Sequence, residues 1–155
     1  MCRESVSVVC SDLHYLRRMR RLILFLLTLL SLFGCRDRNM SRVPDVPVNI
    51  AININQPDFF NLSVPSGWVY ITGGSRGIIV FRNSLTEFTA IERHSAFEPE
   101  NNCAVIVNPD NVIISDPCSE SQWLIMDGSI VKGPTSFPLR TYQITFSDPM
   151  LYITN

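Results

Sequence analysis

The stretch VNIAININ, residues 48 to 55, alternates strictly and places Val48, Ile50, Ile52 and Ile54 on one face. A period of two is the signature of a half-buried strand. Further short segments of the same kind follow at WVYIT (68 to 72), GIIVFR (77 to 82), FTAIE (88 to 92), CAVIV (103 to 107), NVIIS (111 to 115), WLIM (123 to 126), YQITF (142 to 146) and LYIT (151 to 154). Each is rich in β-branched and aromatic residues and is bounded by turn residues such as GGSRG, NPDN, DGS or SDP. Strands recurring about every ten residues, with no helical period, predict an all-β chain: an antiparallel β-sandwich or partly open barrel with no place for a helix.

The amino-terminal third has a different character. The segment MRRLILFLLTLLSLFGC, Met19 to Cys35, sets two arginines before an apolar run too short for a transmembrane helix, which needs about 20 residues. Its ending, Leu32-Phe33-Gly34-Cys35, resembles the bacterial lipobox. That resemblance implies a lipoprotein signal peptide over 19–35, lipidation of Cys35 and an exported, membrane-anchored protein on the periplasmic side of the inner or outer membrane. The alternative is a short uncleaved anchor, with the same placement outside the cytoplasmic membrane. Residues 1–18 sit awkwardly ahead of such a signal and are expected to be a mis-assigned upstream extension, which removes Cys2, Cys10 and His14 from the mature chain. Residues 36–47, RDRNMSRVPDVP, are polar and without period and are expected to be a tether. Residues 48–155 then form one β domain.

Charge excludes one class of partner. Beyond Cys35 there are eight basic and twelve acidic residues, a net of about −4. A nucleic-acid surface needs a basic stripe, so no nucleic-acid partner is expected. The turn GGSRG, 73 to 77, has the glycines of a phosphate loop but lies between two strands rather than before a helix, so a hairpin turn is expected there.

Two loops stand out, AIERHSAFEPENNC (90 to 103) and SDPCSESQWLIMDG (115 to 128), followed by GSIVKGPTSFPLRTYQITF. This order resembles the Rieske-type iron–sulfur domain. That family has a Cys-x-His loop, a hairpin, a Cys-Pro-x-His loop closed by Ser-x-aromatic, a turn, and a Gly-Pro…Pro-Leu…Tyr tail. Ser121-Gln122-Trp123 matches the loop closure, Asp127-Gly128 the turn, and Gly133, Pro134, Pro138, Leu139 and Tyr142 the tail. The resemblance covers about residues 64 to 155 and implies a Rieske-like antiparallel fold with a cluster-binding-like subdomain. In its register the ligand positions fall on Ser95 and Phe97 in the first loop and on Asp116 and Ser119 in the second, so all four ligands are missing.

The inventory agrees. A Rieske cluster takes two thiolates and two imidazoles, whereas the mature chain has one histidine, His94. No [2Fe–2S] cluster and no other cofactor is therefore expected. Of the four potential zinc ligands His94, Asp116, Cys103 and Cys118, only Asp116 and Cys118 have the paired spacing of structural sites, so no zinc site is expected. His94 is expected to be a surface loop residue and Asp116 a turn residue before proline. Many proteins of the family carry a disulfide between the two loops, and Cys118 stands at one of its positions. The resemblance, with an exported compartment, implies a Cys103–Cys118 disulfide worth ~3 kcal/mol for a loop of this size; two buried free thiols are the alternative. Phe97 is expected to fill part of the cluster's volume, with Trp123 beside it. No catalytic constellation is visible, so no enzyme is expected. Two functions remain: a cluster-free, lipid-anchored binding or structural module that meets an unknown envelope partner through Phe97, Ser119, Glu120 and Ser121, or a [2Fe–2S] electron-transfer protein.

Overall fold

The computed structural model describes residues 43–155. The expected signal segment, Cys35 and the expected upstream extension lie outside the described residues. Among the described residues there are ten strands: β1 (Asn49–Asn53), β2 (Trp68–Ile71), β3 (Ile78–Arg82), β4 (Phe88–Glu92), β5 (Ile106–Val107), β6 (Ile113–Ser115), β7 (Gln122–Leu124), β8 (Ile130–Lys132), β9 (Thr141–Ser147) and β10 (Met150–Thr154). They form a six-stranded sheet in the order β1-β10-β9-β4-β3-β2 and a four-stranded sheet in the order β5-β6-β7-β8. Every paired neighbour is antiparallel. This is the expected all-β, antiparallel architecture, with the small sheet as a separate subdomain.

The expected segments all contain strands; most are shortened by one to three residues where a turn begins, while β4 keeps its expected bounds and β9 and β10 run slightly further. β8 is the addition. It is three residues long, exposed throughout and held only to β7, so it carries no burial pattern that a period can reveal. Two short 3-10 segments, Pro57–Ser63 and Pro99–Asn101, occupy loops where no helix was expected. Proline opens each, and the first buries Leu62 while leaving Phe60 70% exposed. Among the described residues no helix is long and apolar enough to cross a membrane.

β3 explains how the two sheets share one domain. All five of its residues are buried, and alternate side chains go to opposite faces. Ile78 and Val80 join a first core with Val48, Ile52, Leu62, Val69, Leu151 and Ile153. Ile79 and Phe81 join a second core with Ile91, Val105, Ile114, Trp123, Ile125 and Leu139. The first core lies inside the curved six-stranded sheet. The second fixes the four-stranded sheet to the outer face of β3 and β4, and that face positions the two loops. The alternation expected for residues 48 to 54 is present, with Val48, Ile52 and Ile54 buried and Ile50 half-buried.

Polar groups anchor the edges of this frame. Arg82 is buried, donates to the carbonyls of Leu62, Ser84 and Leu85, and lies 5.0 Å from the Phe88 ring centroid. In the β5–β6 turn Asp110 Oδ1 accepts from the backbone N–H groups of Ile113 and Val112, which hold its carboxyl below the usual range. The end of the expected tether lies against the domain: Val43 is buried, and Asp45 pairs with Arg140 and accepts from Asn155.

Candidate functional site

Strand β4 delivers the first loop and β6 the second. The first is closed at its base by a bridge between His94 and Ala104 and by the bond from Ser95 N–H to the Cys103 carbonyl, 2.9 Å. The second turns tightly. Asp116 N–H donates to the Ser121 carbonyl and Glu120 N–H to the Asp116 carbonyl, both at 2.9 Å. Proline after Asp116 and the left-handed Glu120 (φ 60°) shape that turn.

Asp116 joins the loops. Its carboxylate is 1% exposed, and Oδ2 accepts from the hydroxyls of Ser95 and Ser119, each at 2.7 Å. Oδ1 accepts from Cys118 N–H at 2.9 Å, an Asx turn. Three of the four expected ligand positions thus bond directly to one another. Phe97, the fourth, donates its N–H to Ser95 Oγ, 3.1 Å, and is half-buried. Beside this network the Cys103 and Cys118 sulfurs lie at disulfide distance, with Cα atoms 6.4 Å apart. One ligand-type atom from each of Cys103, Asp116 and Cys118 lies within 4.8 Å of the others.

Three expectations need correction. Ser121 cannot belong to a contact surface: it is fully buried, and its hydroxyl accepts from Thr135 N–H at 3.1 Å, tying the second loop to the Gly133-Pro134 segment behind it. Phe97 does not pack on Trp123. The indole lies inside the second core and donates to the Phe137 carbonyl at 3.0 Å, while Phe97 stays outside that core. His94 is not a surface residue but is 1% exposed.

The burial of His94 belongs to a polar cluster that sequence reading missed. Glu92, fully buried at the end of β4, accepts four hydrogen bonds. Oε2 takes Ser75 N–H (2.7 Å) and the Tyr142 hydroxyl (2.6 Å), and Oε1 takes Arg76 N–H (3.0 Å) and His94 N–H (2.9 Å). The GGSRG turn is therefore a hairpin turn, as expected, yet it still binds an anion, the chain's own carboxylate. Gly74, at φ +60°, is required there because a Cβ would collide with the Glu92 carboxylate and the Tyr142 hydroxyl. The turn also brings Ser75 Oγ to 2.8 Å from His94 Nδ1, while Nε2 lies 2.7 Å from the Pro99 carbonyl. With Nε2–H donating to that carbonyl, Nδ1 accepts from the Ser75 hydroxyl, the arrangement of a nucleophile and its base. The N–H groups of Ser75 and Arg76 that would stabilise an oxyanion are already spent on Glu92.

Tyr142 makes this cluster measurable. Burial, and then the bond to Glu92, push its phenol well above the usual range. A group whose pKa is raised on folding keeps its proton in the native state after the unfolded chain has lost it, so its contribution is complete below the unfolded pKa and is lost as pH rises. Above pH ~10 the unfolding free energy should fall more steeply in the parent than in Tyr142→Phe, by up to about 1.4 kcal/mol per pH unit. Chemical denaturation from pH 8 to 11 tests it, and parallel slopes refute it.

No protein-family model matches the chain, and no curated protein matches it. Among solved structures it is similar to the cyanobacterial plasma membrane Rieske protein PetC3 from Synechocystis, with 19% identity over 57% of this chain and 86% of that one and a TM-score of 0.48. It is also similar to the ferredoxin of carbazole 1,9a-dioxygenase from Nocardioides aromaticivorans, with 13% identity over 71% and 98% of the two chains and a TM-score of 0.46. The NirD protein of E. coli gives 13% identity over 74% and 96%, with a TM-score of 0.41.

Proposed function

We propose that the chain is an exported, lipid-anchored module of the cell envelope, built on a Rieske-like fold without an iron–sulfur cluster, that acts by binding or holding a partner. The observation that carries this reading is the Asp116 network. A [2Fe–2S] centre of this kind needs two thiolates on one iron and two imidazoles on the other. The corresponding positions offer two hydroxyls, a carboxylate and a phenyl ring, and the hydroxyls of Ser95 and Ser119 sit 2.7 Å from Asp116 Oδ2. These residues do not fit the group. The hydrogen bonds and the cysteine pair take its place as the link between loops, and no resident cofactor is proposed for the oxidised protein.

Electron transfer through an exposed, histidine-ligated iron has no support in such a site, and an independent enzyme activity lacks an oxyanion site beside the Ser75–His94 pair. What the loop tips offer is contact area: Phe97 and Ser119 are half-buried, and the Glu120 side chain is 87% exposed beside Lys132. A cysteine pair at bonding distance accords with export to an oxidising compartment. The lipobox-like ending at Cys35 supports a lipid anchor that holds the domain at a membrane.

The full chain, expressed in a bacterial host that exports and lipidates it, is expected to contain no stoichiometric iron and to show no visible charge-transfer absorption. Two irons per chain with such absorption would sink the cluster-free reading. In the same host Cys35→Ala should lose fatty-acid labelling, and retained label would sink the anchor.

A further inference from the structure

The Cys103–Cys118 pair and Asp116 have a second use that depends on the oxidation state of the sulfurs. A disulfide sulfur is no zinc ligand; a thiolate is. The ligand-type atoms of Cys103, Cys118 and Asp116 already lie within 4.8 Å of one another, drawn from two loops. Around a tetrahedral zinc with bonds of about 2.0–2.3 Å, ligand atoms stand about 3.3–3.8 Å apart. Breaking the disulfide lets the sulfurs separate toward that spacing with little movement of the loops.

Asp116 is suited to the third position. An ionised carboxylate has about four lone-pair sites. Oδ2 uses two on Ser95 and Ser119, and Oδ1 uses one on Cys118 N–H. One remains, on Oδ1. The three existing bonds would persist as the outer support that orients a metal-bound carboxylate. Among the described residues no Lys, Arg or His makes an ion pair with this buried carboxyl group; its partners are two hydroxyls and one backbone N–H, which leaves room for a cation as a further partner.

We propose that reduction of the Cys103–Cys118 disulfide converts this junction into a zinc site with two thiolates, the Asp116 carboxylate and a water. An external dithiol gives two electrons and two protons to the S–S bond and is itself oxidised to a disulfide, leaving two cysteine thiols. On metal binding both thiols release their protons to solvent. Two metal–sulfur bonds and one metal–oxygen bond replace three bound waters. The ion then links the same two loops that the disulfide linked. The site lies at the loop junction of the function proposed above but rests on neither the membrane anchor nor the partner.

The test uses the full chain with Cys2, Cys10 and Cys35 changed to Ser, so that Cys103 and Cys118 are the only thiols. After dithiol reduction and anaerobic desalting, Co2+ is titrated as the probe. One Co2+ per chain with thiolate charge-transfer and tetrahedral visible bands is expected, displaced by one Zn2+. The oxidised chain should give no such bands. Asp116→Asn should weaken the reduced chain's affinity by about 10-fold or more. Absent bands in the reduced chain, or equal affinity in Asp116→Asn, overturn the proposal. If reduction loosens the fold, near-ultraviolet dichroism of Trp68 and Trp123 serves as second readout. Co2+ or Zn2+ should restore the signal in the reduced chain, and failure to restore it also overturns the site. Iron content is not read, so this outcome is separate from that of the cluster-free reading.

Discussion

Glu92→Ala is expected to lower the unfolding free energy by about 3–5 kcal/mol, the cost of breaking one side of a buried polar network. The carboxylate is fully buried and every partner is a donor: Ser75 N–H, Arg76 N–H, His94 N–H and the Tyr142 hydroxyl. Truncation strands all four, and each buried donor without an acceptor costs about 1–3 kcal/mol. The sum is not reached, because Ser75 is half-exposed and Arg76 exposed, so water can enter at the turn. Glu92→Gln should fall between parent and Ala, since its amide keeps one acceptor oxygen and sets an NH2 group against a pair of donors. Urea denaturation of the three proteins checks the order, and a Glu92→Ala loss below about 1 kcal/mol would show that the network is not a buried clamp. A second consequence concerns the loops. Glu92 fixes both the β2–β3 turn and the backbone at His94, one residue before Ser95, so its loss should also loosen the first loop where it meets Asp116.

The strands were legible because their burial is regular, and the Glu92 cluster was not because its donors are far apart in the chain. GIIVFR is a continuous apolar run, and β3 proves to be covered on both faces, which is what such a run requires. IVK in β8 has no alternation to detect because both of its faces meet solvent. Ser95 and Asp116 could be placed from the register of the surrounding motif, and the structure brings them together at 2.7 Å. His94 was misread because its burial depends on Ser75, 19 positions away, and on a carbonyl with no side-chain signature. Tyr142 was visible as part of the tail motif, but its partner, 50 positions upstream, was not. Ser121 looked like part of an exposed polar run; nothing in SESQ reveals that Thr135 N–H covers its hydroxyl.

Trp123→Ala is expected to cost a further class of stability, about 3–5 kcal/mol, because it removes the largest side chain of the second core. Trp123 is fully buried on β7, between β6 and β8, and packs with Ile79 and Ile91 from the large sheet and Ile114, Ile125 and Leu139 from the small subdomain. Its loss leaves a cavity between the two sheets, and partial collapse of the short strands sets where in that range the cost falls. The Phe137 carbonyl also loses the indole N–H, although it still accepts from the Thr135 hydroxyl at 3.1 Å. Trp123→Phe keeps most of the apolar volume and loses the hydrogen bond, so it should cost about 1–2 kcal/mol. Calorimetry would register the Ala variant as a fall in Tm of about 10–20 °C. The loss should be largest for the small sheet: its amides in β6 and β7 are expected to lose more exchange protection than those of β10, which lies in the other core. Equal loss in both sheets would mean that the two cores unfold as one unit, and a Tm within about 5 °C of the parent would mean that Trp123 does not carry the contact between them.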